Sequence, residues 1–586
     1  MKTKLVNKDI RQNYTEELLK ERGVNEKYLP YFLGQPDSSL LQDPRAFDNI
    51  HEGYQIFKEI LLLNPNQRIL LVVDSDVDGF TSSAIMYSYL KKVKPDLHID
   101  YILHEGKGHG LSDLMDKIIE DDLKNELELR YIILPDSSSN DYIFHEQLGV
   151  LGIKCLILDH HIVEEDTKFS EYAVIINNQL SENYINKDLC GAGVAWQFCR
   201  YCDSREGTTY ADDLIDLAAL GIISDMMSVL SPENRYIIYE GLRNIKNYYF
   251  LALCEKQSFS MGGKLNPTTI AFYITPLINA LIRVGTMDEK RRCFEAFIDG
   301  HQMVPSQKRG AKGTYEEIAI ESARECTNAR AKQNRILDKA VEELEIKIFK
   351  YDLLENKILF VRLEEEDFPA ELNGLTAMKL AAKYKRPTIV ARLNDEGYDR
   401  GSSRGLNESA LKSFKEFMNE SGYFEYTAGH DNACGISILD KNLHDFHDYA
   451  NQALADVDFG ENWYEVNFER FAADPDLIPL IYDLAVHEDL FGQHNNEPLI
   501  HVTDINLKKS EIAVIGKNAD TVRIEKFGVT YLKFHAKEMI EELAQIDSNE
   551  IKIEIVGRAN LNEFAGRVTP QIFITDFQID DGTLGF

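Results

Sequence analysis

The stretch RILLVVDSDVDGF, residues 68–80, constrains the chain more than any other: an apolar run stops abruptly in three aspartates at alternate positions, followed by glycine. An apolar run of that length and β-branched content reads as a buried strand, so the charges must lie where the strand ends. The pattern recurs in LRYIILPD (129–136) and IKCLILDHH (153–161), and Asp225 closes a further apolar run, LAALGIISD (217–225). Helix-like segments fall between these runs, among them FTSSAIMYSYLKKV (80–93), YIFHEQLGV (142–150) and VAWQFCRY (194–201). This alternation predicts an α/β domain over about 68–230, a mostly parallel sheet with helices on both faces. In such sheets the loops after the strands gather on one edge, where ligands bind.

Asp74, Asp76, Asp78, Asp136, Asp159, His160, His161 and Asp225 would then converge. Carboxylates crowded in this way cannot all stay ionised without a counter-charge, because like charges and desolvation both raise their pKa values. Oxygen donors with one or two imidazoles suit Mn²⁺ or Mg²⁺, and so many donors point to a pair of ions. Paired divalent ions are a device for hydrolysing phosphate esters. A single Asp after a strand is commonly a helix N-cap, and Asp78 before Gly79 fits that plainer role. Capping does not account for four segment ends in one sheet.

A chain of 586 residues should hold several domains. Residues 1–45 form an N-terminal segment with a short helix at TEELLKERGV, and 46–313 the first α/β domain. Residues 314–345 read as one long, charge-laced helix without proline that connects to a second α/β region, 346–455. An acidic linker is expected at 456–497. Residues 498–586 are strand after strand, the pattern of a small β-barrel. In that region Lys508, Lys509, Lys517, Arg523, Lys526, Lys533 and Arg567 are interspersed with Phe527, Tyr531, Phe534 and Phe564. Aromatics in a barrel belong mainly to its core, so the cations are the stronger candidates for nucleic-acid contact.

Lys plus Arg is 64 against 97 Asp plus Glu, a net charge of −33. That balance is unusual for a protein that grips nucleic acid by general attraction; a polyanion must enter a local basic groove or meet metal. The eight cysteines are scattered, and the CxxC of Cys199 and Cys202 has no second pair to complete a zinc site, so helical packing is its reading. The opening MKTKLVNKDIRQNYTEELLKERG lacks the apolar core of a secretion signal, and no stretch reads as the ~18 apolar residues of a membrane span. A cytoplasmic, membrane-free monomer is the expectation.

The four segment ends, DSDVDG, LPDSSS, LILDHH and LGIISDMMSVLSPENR, resemble the motifs of the DHH phosphoesterase superfamily. DLCGAGVAWQF, ITPLINALIRVG, LTAMKLAAKYKRPTIV, GSSRG, AGHDNACGISI, LFGQHNNEPLIHVTDI and LNEFAGRVTPQIFITDF extend the resemblance to the RecJ-like single-strand-specific exonucleases, in order over about residues 70–580. It implies a DHH domain, a connecting helix, a DHH-associated domain and an OB-fold. It also implies that Asp74, Asp76 and Asp78 collectively, with Asp136, His160 and Asp225, hold two Mn²⁺ or Mg²⁺ ions, with Asp136 bridging. By the same resemblance His161 meets the scissile phosphate, Asp159 orients the imidazoles, and a water serves as nucleophile with no covalent intermediate.

For substrate contacts the resemblance implies Gly401, Ser402, Ser403 and Arg404, whose guanidinium can fork onto a phosphate. It adds His430, within an AGH element where Ala428 replaces a glycine, and Asn279 with Arg283, where Ile282 replaces a glycine and puts a local turn in doubt. Lys107 stands in for a basic residue expected before Gly108, His109 and Gly110. Asn279 as a turn cap and Arg283 as the partner of a surface acid are the plainer alternatives.

The expected function is a metal-dependent exonuclease on single-stranded DNA, running 5′ to 3′ and releasing nucleoside 5′-monophosphates in repair, recombination or replication, with a protein partner from that machinery. Polarity and product rest on the resemblance alone. The alternatives are a phosphodiesterase of the same superfamily acting on oligonucleotides or cyclic dinucleotides, and a non-catalytic DNA-binding scaffold.

Overall fold

The structure, a computed structural model, describes residues 1–106, 108–311, 313–364, 368–564 and 566–580; Lys107 lies outside the described residues. The chain divides into two units, one built from 26–333 and 489–496, the other from 1–25, 334–488 and 497–586.

The first unit is organised on a five-stranded sheet of β1 (Gln67–Val73), β2 (Ile99–Leu103), β3 (Glu128–Pro135), β4 (Lys154–Asp159) and β5 (Ala173–Asn177), in the order β2-β1-β3-β4-β5. Every neighbouring pair is parallel. Central strands buried on both faces explain why β1, β3 and β4 read as continuous apolar runs rather than alternating ones. Leu70, Val72, Ile132, Leu134, Cys155 and Ile157 line a core closed by Leu111, Leu114, Met115, Ile118 and Leu148. Three helices, α1 (Val77–Val93), α2 (Gly191–Glu206) and α3 (Ile215–Ser224), pack against one another. Cys199 and Cys202 are buried on α2, as helical packing requires, and all eight cysteines are buried and free of disulfides.

The connecting helix, α4, runs Ile318–Lys350 rather than 314–345. Its expected first residues instead form a strand, Tyr315–Glu317, paired antiparallel with Met303–Pro305.

In the second unit β6 (Leu359–Arg362), β7 (Thr388–Leu393), β8 (Tyr398–Arg404), β9 (Phe424–His430) and β10 (Ala433–Leu439) form a sheet of order β9-β10-β8-β7-β6. Helix α5 (Asn373–Tyr384) lies between β6 and β7 in the chain and packs on β7 and β8. A seven-stranded sheet follows: β11 (Phe468–Phe471), β12 (Ile500–Lys508), β13 (Ile512–Ile515), β14 (Thr521–Lys526), β15 (Val529–Lys533), β16 (Glu550–Phe564) and β17 (Arg567–Asp580), in the order β11-β12-β16-β17-β15-β14-β13.

Two segment expectations are corrected. The stretch 456–497 is not a linker: it contributes β11 to the C-terminal sheet, a strand Trp463–Val466 and a helix Leu477–Val486. In WYEVNFERF the residues Tyr464, Val466, Phe468 and Arg470 are buried and their neighbours are not, the period-two signature of a half-buried strand. Residues 1–45 are not purely helical, because Lys2–Leu5 is a strand that pairs in parallel with Trp463–Val466. One stretch, Pro267–Val284, does reach the hydropathy of a membrane span, at a mean of 1.2, but 56% of it is buried within the protein.

Candidate metal centre

The parallel sheet delivers its strand ends to one place. After β1, Asp76 is the N-cap of α1 and accepts a hydrogen bond from the Gly79 N–H at 2.9 Å. Asp78, in the first turn, is not the cap; its carboxylate reaches the N-terminus of α2, accepting from the N–H groups of Gly191 (2.7 Å) and Ala192 (3.0 Å). Asp136 follows β3 with a left-handed backbone, φ +65°. For a non-glycine residue that geometry costs of order 1–3 kcal/mol and is found where surrounding structure over-determines it. His160 follows β4, and Asp225 caps the C-terminus of α3.

These side chains converge. His160 Nε2 lies 3.2 Å from Asp136 Oδ1, 3.4 Å from Asp225 Oδ2 and 4.0 Å from Asp78 Oδ2. Ligand-capable atoms cluster as Asp74, Asp76 and Asp136, as Asp78, His160 and Asp225, and as Asp136, His160 and His161. Asp136 and His160 each belong to two of these groups. Close approach is built into the helices: a Cβ on Gly191 would lie 2.5 Å from Asp136 Oδ1, and one on Gly221 would lie 2.4 Å from Asp78 Oδ1.

The electrostatics favour a cation among these groups. Burial, then the neighbouring charges of Asp78, Asp76 and Asp74, holds the Asp136 carboxyl well above the ordinary carboxylate range. Burial and Asp78 push Asp225 to about 8, and burial with Asp74 and Asp78 pushes Asp76 to about 6. Asp74 Oδ1, Asp136 Oδ1, Asp225 Oδ2 and His160 Nε2 are buried with no hydrogen-bond partner. Buried polar atoms are overwhelmingly paired in native proteins, so four orphans facing one another mark the place of a ligand. Oxygen donors with imidazole fit Mn²⁺ or Mg²⁺.

Around this cluster sits a supporting layer. Asp159 accepts from the N–H of Ser139 (3.0 Å), His160 (2.7 Å) and His161 (3.2 Å), and pairs with His161 Nδ1 at 2.8 Å. Burial alone would raise its pKa, but the His161 hydrogen bond and the neighbouring imidazoles hold it well below the carboxylate range. Burial depresses the His161 pKa, yet the Asp159 bond and charge raise it overall, while His160, more deeply buried, is lowered.

Two histidines escaped the sequence reading. His109 Nδ1 is 3.1 Å from Asp74 Oδ2, and His104 Nε2 is 3.8 Å from Asp74 Oδ1 while its Nδ1 meets Asp113 at 3.0 Å. Burial opposes the charge on His109, but the Asp74 hydrogen bond prevails and raises its pKa to about 9. His109 follows β2, whose IDYIL run leads into His104 and Glu105 rather than into an aspartate; the sequence signal for it is a histidine set between Gly108 and Gly110.

The remaining expected residues are placed less centrally. Asn279 and Arg283 share one half-buried face of the helix Thr275–Val284, which begins where the Thr275 hydroxyl meets Ser224 Oγ at 3.0 Å, next to Asp225. Ile282 is buried within that helix, so no turn forms there. Gly401, Ser402, Ser403 and Arg404 end β8, and His430 ends β9 exposed; all belong to the other unit. The Ser403 hydroxyl is turned inward, donating to Cys434 O at 3.2 Å, so it is taken up within the sheet. The half-buried Arg404 guanidinium donates to its neighbour's carbonyl at 2.7 Å and has no carboxylate partner among the described residues. In the C-terminal sheet Tyr531 is core, whereas Phe527 and Phe534 are exposed. Lys526 pairs with Glu511 and Arg523 with Glu525, which weakens both as nucleic-acid contacts.

Residues 68–222 match the model of the DHH family, N-terminal domain, and 478–576 that of the RecJ OB domain. The chain is 35% identical to a putative SPbeta prophage-derived single-strand DNA-specific exonuclease, YorK, of Bacillus subtilis over 96% of this chain and 95% of that protein. It is 24% identical to the single-stranded-DNA-specific exonuclease RecJ of the same organism, over 94% of this chain and 66% of RecJ. The fold is also that of the crystal structure of RecJ in complex with Mn²⁺ from Thermus thermophilus, with a TM-score of 0.70 at 18% identity over 98% of this chain and 79% of that one.

Proposed function

The chain belongs to the RecJ-like branch of the DHH family, and on that footing we propose that it is a divalent-metal-dependent exonuclease that hydrolyses single-stranded DNA. The observation that carries this reading is the set of four buried, unpartnered donor atoms on Asp74, Asp136, His160 and Asp225 facing one another at the sheet edge. Asp74, Asp76 and Asp136 would hold one ion and Asp78, His160 and Asp225 the other, with Asp136 shared. Bound there, the pair would supply Lewis acidity to the phosphoryl group and activate water.

The protein's own part is orientation. Asp159 ties down His161 Nδ1, which leaves Nε2 to meet a phosphate oxygen. The N-terminus of α2 fixes Asp78, so its carboxylate enters the site with one direction available. Asn279, Arg283, Ser402, Arg404 and His430 are proposed as contacts to the strand, with Ser403 placing Arg404, whose guanidinium donates to the Ser403 carbonyl. Cleavage from the 5′ end, release of nucleoside 5′-monophosphates, a monomeric state, a cytoplasmic setting and a repair or replication protein as partner belong to the same proposal. The C-terminal OB domain favours a polymeric single strand over a dinucleotide, which needs no such platform.

The test is digestion of 5′-labelled and 3′-labelled single strands, duplex and dinucleotides with Mn²⁺, beside an Asp136→Ala control. Loss of single strand from its 5′ end, absent in the control, is expected. Cleavage of dinucleotides alone, or binding without cleavage, overturns the proposal.

A further inference from the structure

His161 is not the only imidazole of its kind in this site. His161 Nδ1 sits 2.8 Å from Asp159 Oδ1, and His109 Nδ1 sits 3.1 Å from Asp74 Oδ2, so each ring is anchored by a carboxylate through the same nitrogen. The two rings lie edge to face, their centroids 4.6 Å apart. Anchoring at Nδ1 turns Nε2 outward, and among the described residues Nε2 of His109 has no protein partner. The ring is half exposed while Asp74 is buried.

The loop that carries His109 is held at both flanks. Gly108 O accepts a hydrogen bond from Ser75 Oγ, inside the DSDVDG segment, at 2.5 Å. A Cβ at Gly108 would lie 2.1 Å from His104 Nδ1 and 2.3 Å from Asp113 Oδ2, so only glycine lets the loop sit this close. On the other side Leu111 N donates to Asp141 Oδ2 at 2.9 Å. His109 is therefore preorganised beside His161, with one nitrogen committed and the other open, the arrangement expected of a group that meets a ligand rather than one that fills space.

We propose that His109 is a second phosphate-contacting imidazole, its Nε2 hydrogen-bonding an oxygen of the phosphodiester that His161 meets. This rests on the proposed nuclease function. The competing role is positioning alone, with His109 only steadying Asp74 as a metal ligand.

Full-length His109→Asn separates the two, because the Asn side-chain nitrogen stands near the Nδ1 position and preserves the donor to Asp74 while nothing remains at Nε2. Single-strand hydrolysis at saturating Mn²⁺ and Mn²⁺ affinity by calorimetry are measured together. The proposal predicts Mn²⁺ affinity within about twofold of wild type and a kcat lower by about 100-fold, the range for losing a group that acts on the reacting phosphate. A kcat within about threefold of wild type, or a loss that only parallels weaker Mn²⁺ binding, overturns it. If His109→Asn does not fold, His109→Gln carries the test, since its nitrogen stands near Nε2 and the Asp74 bond is given up. His109→Ala is then assayed beside it at saturating Mn²⁺: activity kept by His109→Gln and lost by His109→Ala supports the proposal, and equal activity in the two variants overturns it. A wild-type protein that cuts no single strand would instead sink the nuclease reading, which keeps the two failures apart.

Discussion

His160 Nε2 lies 3.2 Å from Asp136 Oδ1, and neither buried atom has a hydrogen-bond partner. An imidazole nitrogen and a carboxylate oxygen held this close without bonding each other are oriented toward something between and beside them. A bound cation would supply that partner.

Metal protection should grow with pH. In the metal-free fold Asp225 titrates near 8, Asp76 near 6 and Asp136 well above the carboxylate range, while unfolded carboxyls titrate at about 4. A group with a raised folded pKa contributes stability that is fully present below its unfolded value and is lost as pH rises through its folded value. Bound ions remove that loss by replacing the protons. The difference in melting temperature between Mn²⁺ and EDTA samples should therefore be larger at pH 8 than at pH 6; an equal or smaller difference at pH 8 contradicts this.

Asp136→Asn should separate stability from activity. It removes a buried like charge, so the metal-free protein at pH 8 should gain on the order of 1 kcal/mol in denaturant unfolding, while hydrolysis and Mn²⁺ uptake collapse. A destabilised metal-free variant would show that Asp136 is held by attractive partners instead.

The segment ends were legible because two signals coincide at Asp74, Asp136 and Asp159: a strand buried on both faces, and an abrupt change from apolar to charged residues. His104 and His109 were not, because they follow β2, whose short IDYIL carries Asp100 within it and lacks the unbroken apolar run of β1, β3 and β4. In 456–497 surface charge masks the period-two alternation of WYEVNFERF, so the local pattern reads as a linker where the fold has a strand. The inward turn of Ser403 depends on its cross-strand neighbour Cys434, which strand register decides and local pattern does not show.

Gly221→Ala should act on the metal centre from outside it. The added Cβ would lie 2.4 Å from Asp78 Oδ1 and 2.5 Å from the Cβ of Ala192, between two packed helices, so Asp78 must move. Mn²⁺ affinity measured by calorimetry should fall by about tenfold or more, the scale for disturbing a ligand's support. Unchanged affinity would mean the helices yield instead.

Arg404→Ala should leave Mn²⁺ binding intact and weaken single-strand binding. The Arg404 guanidinium has no carboxylate partner among the described residues, and burial lowers its pKa, so an anionic ligand is its natural complement. Binding measured by fluorescence anisotropy across a salt series should show a slope lower by about 0.7 for each lost phosphate contact on a single strand. An unchanged slope would remove Arg404 from the binding surface.

Anomalous diffraction from crystals soaked in Mn²⁺ is the most direct measurement of all. Two peaks are predicted, one among Asp74, Asp76 and Asp136 and one among Asp78, His160 and Asp225. A map with no peak among these side chains would contradict the account, because the clustered acids would then be tolerated by protonation alone.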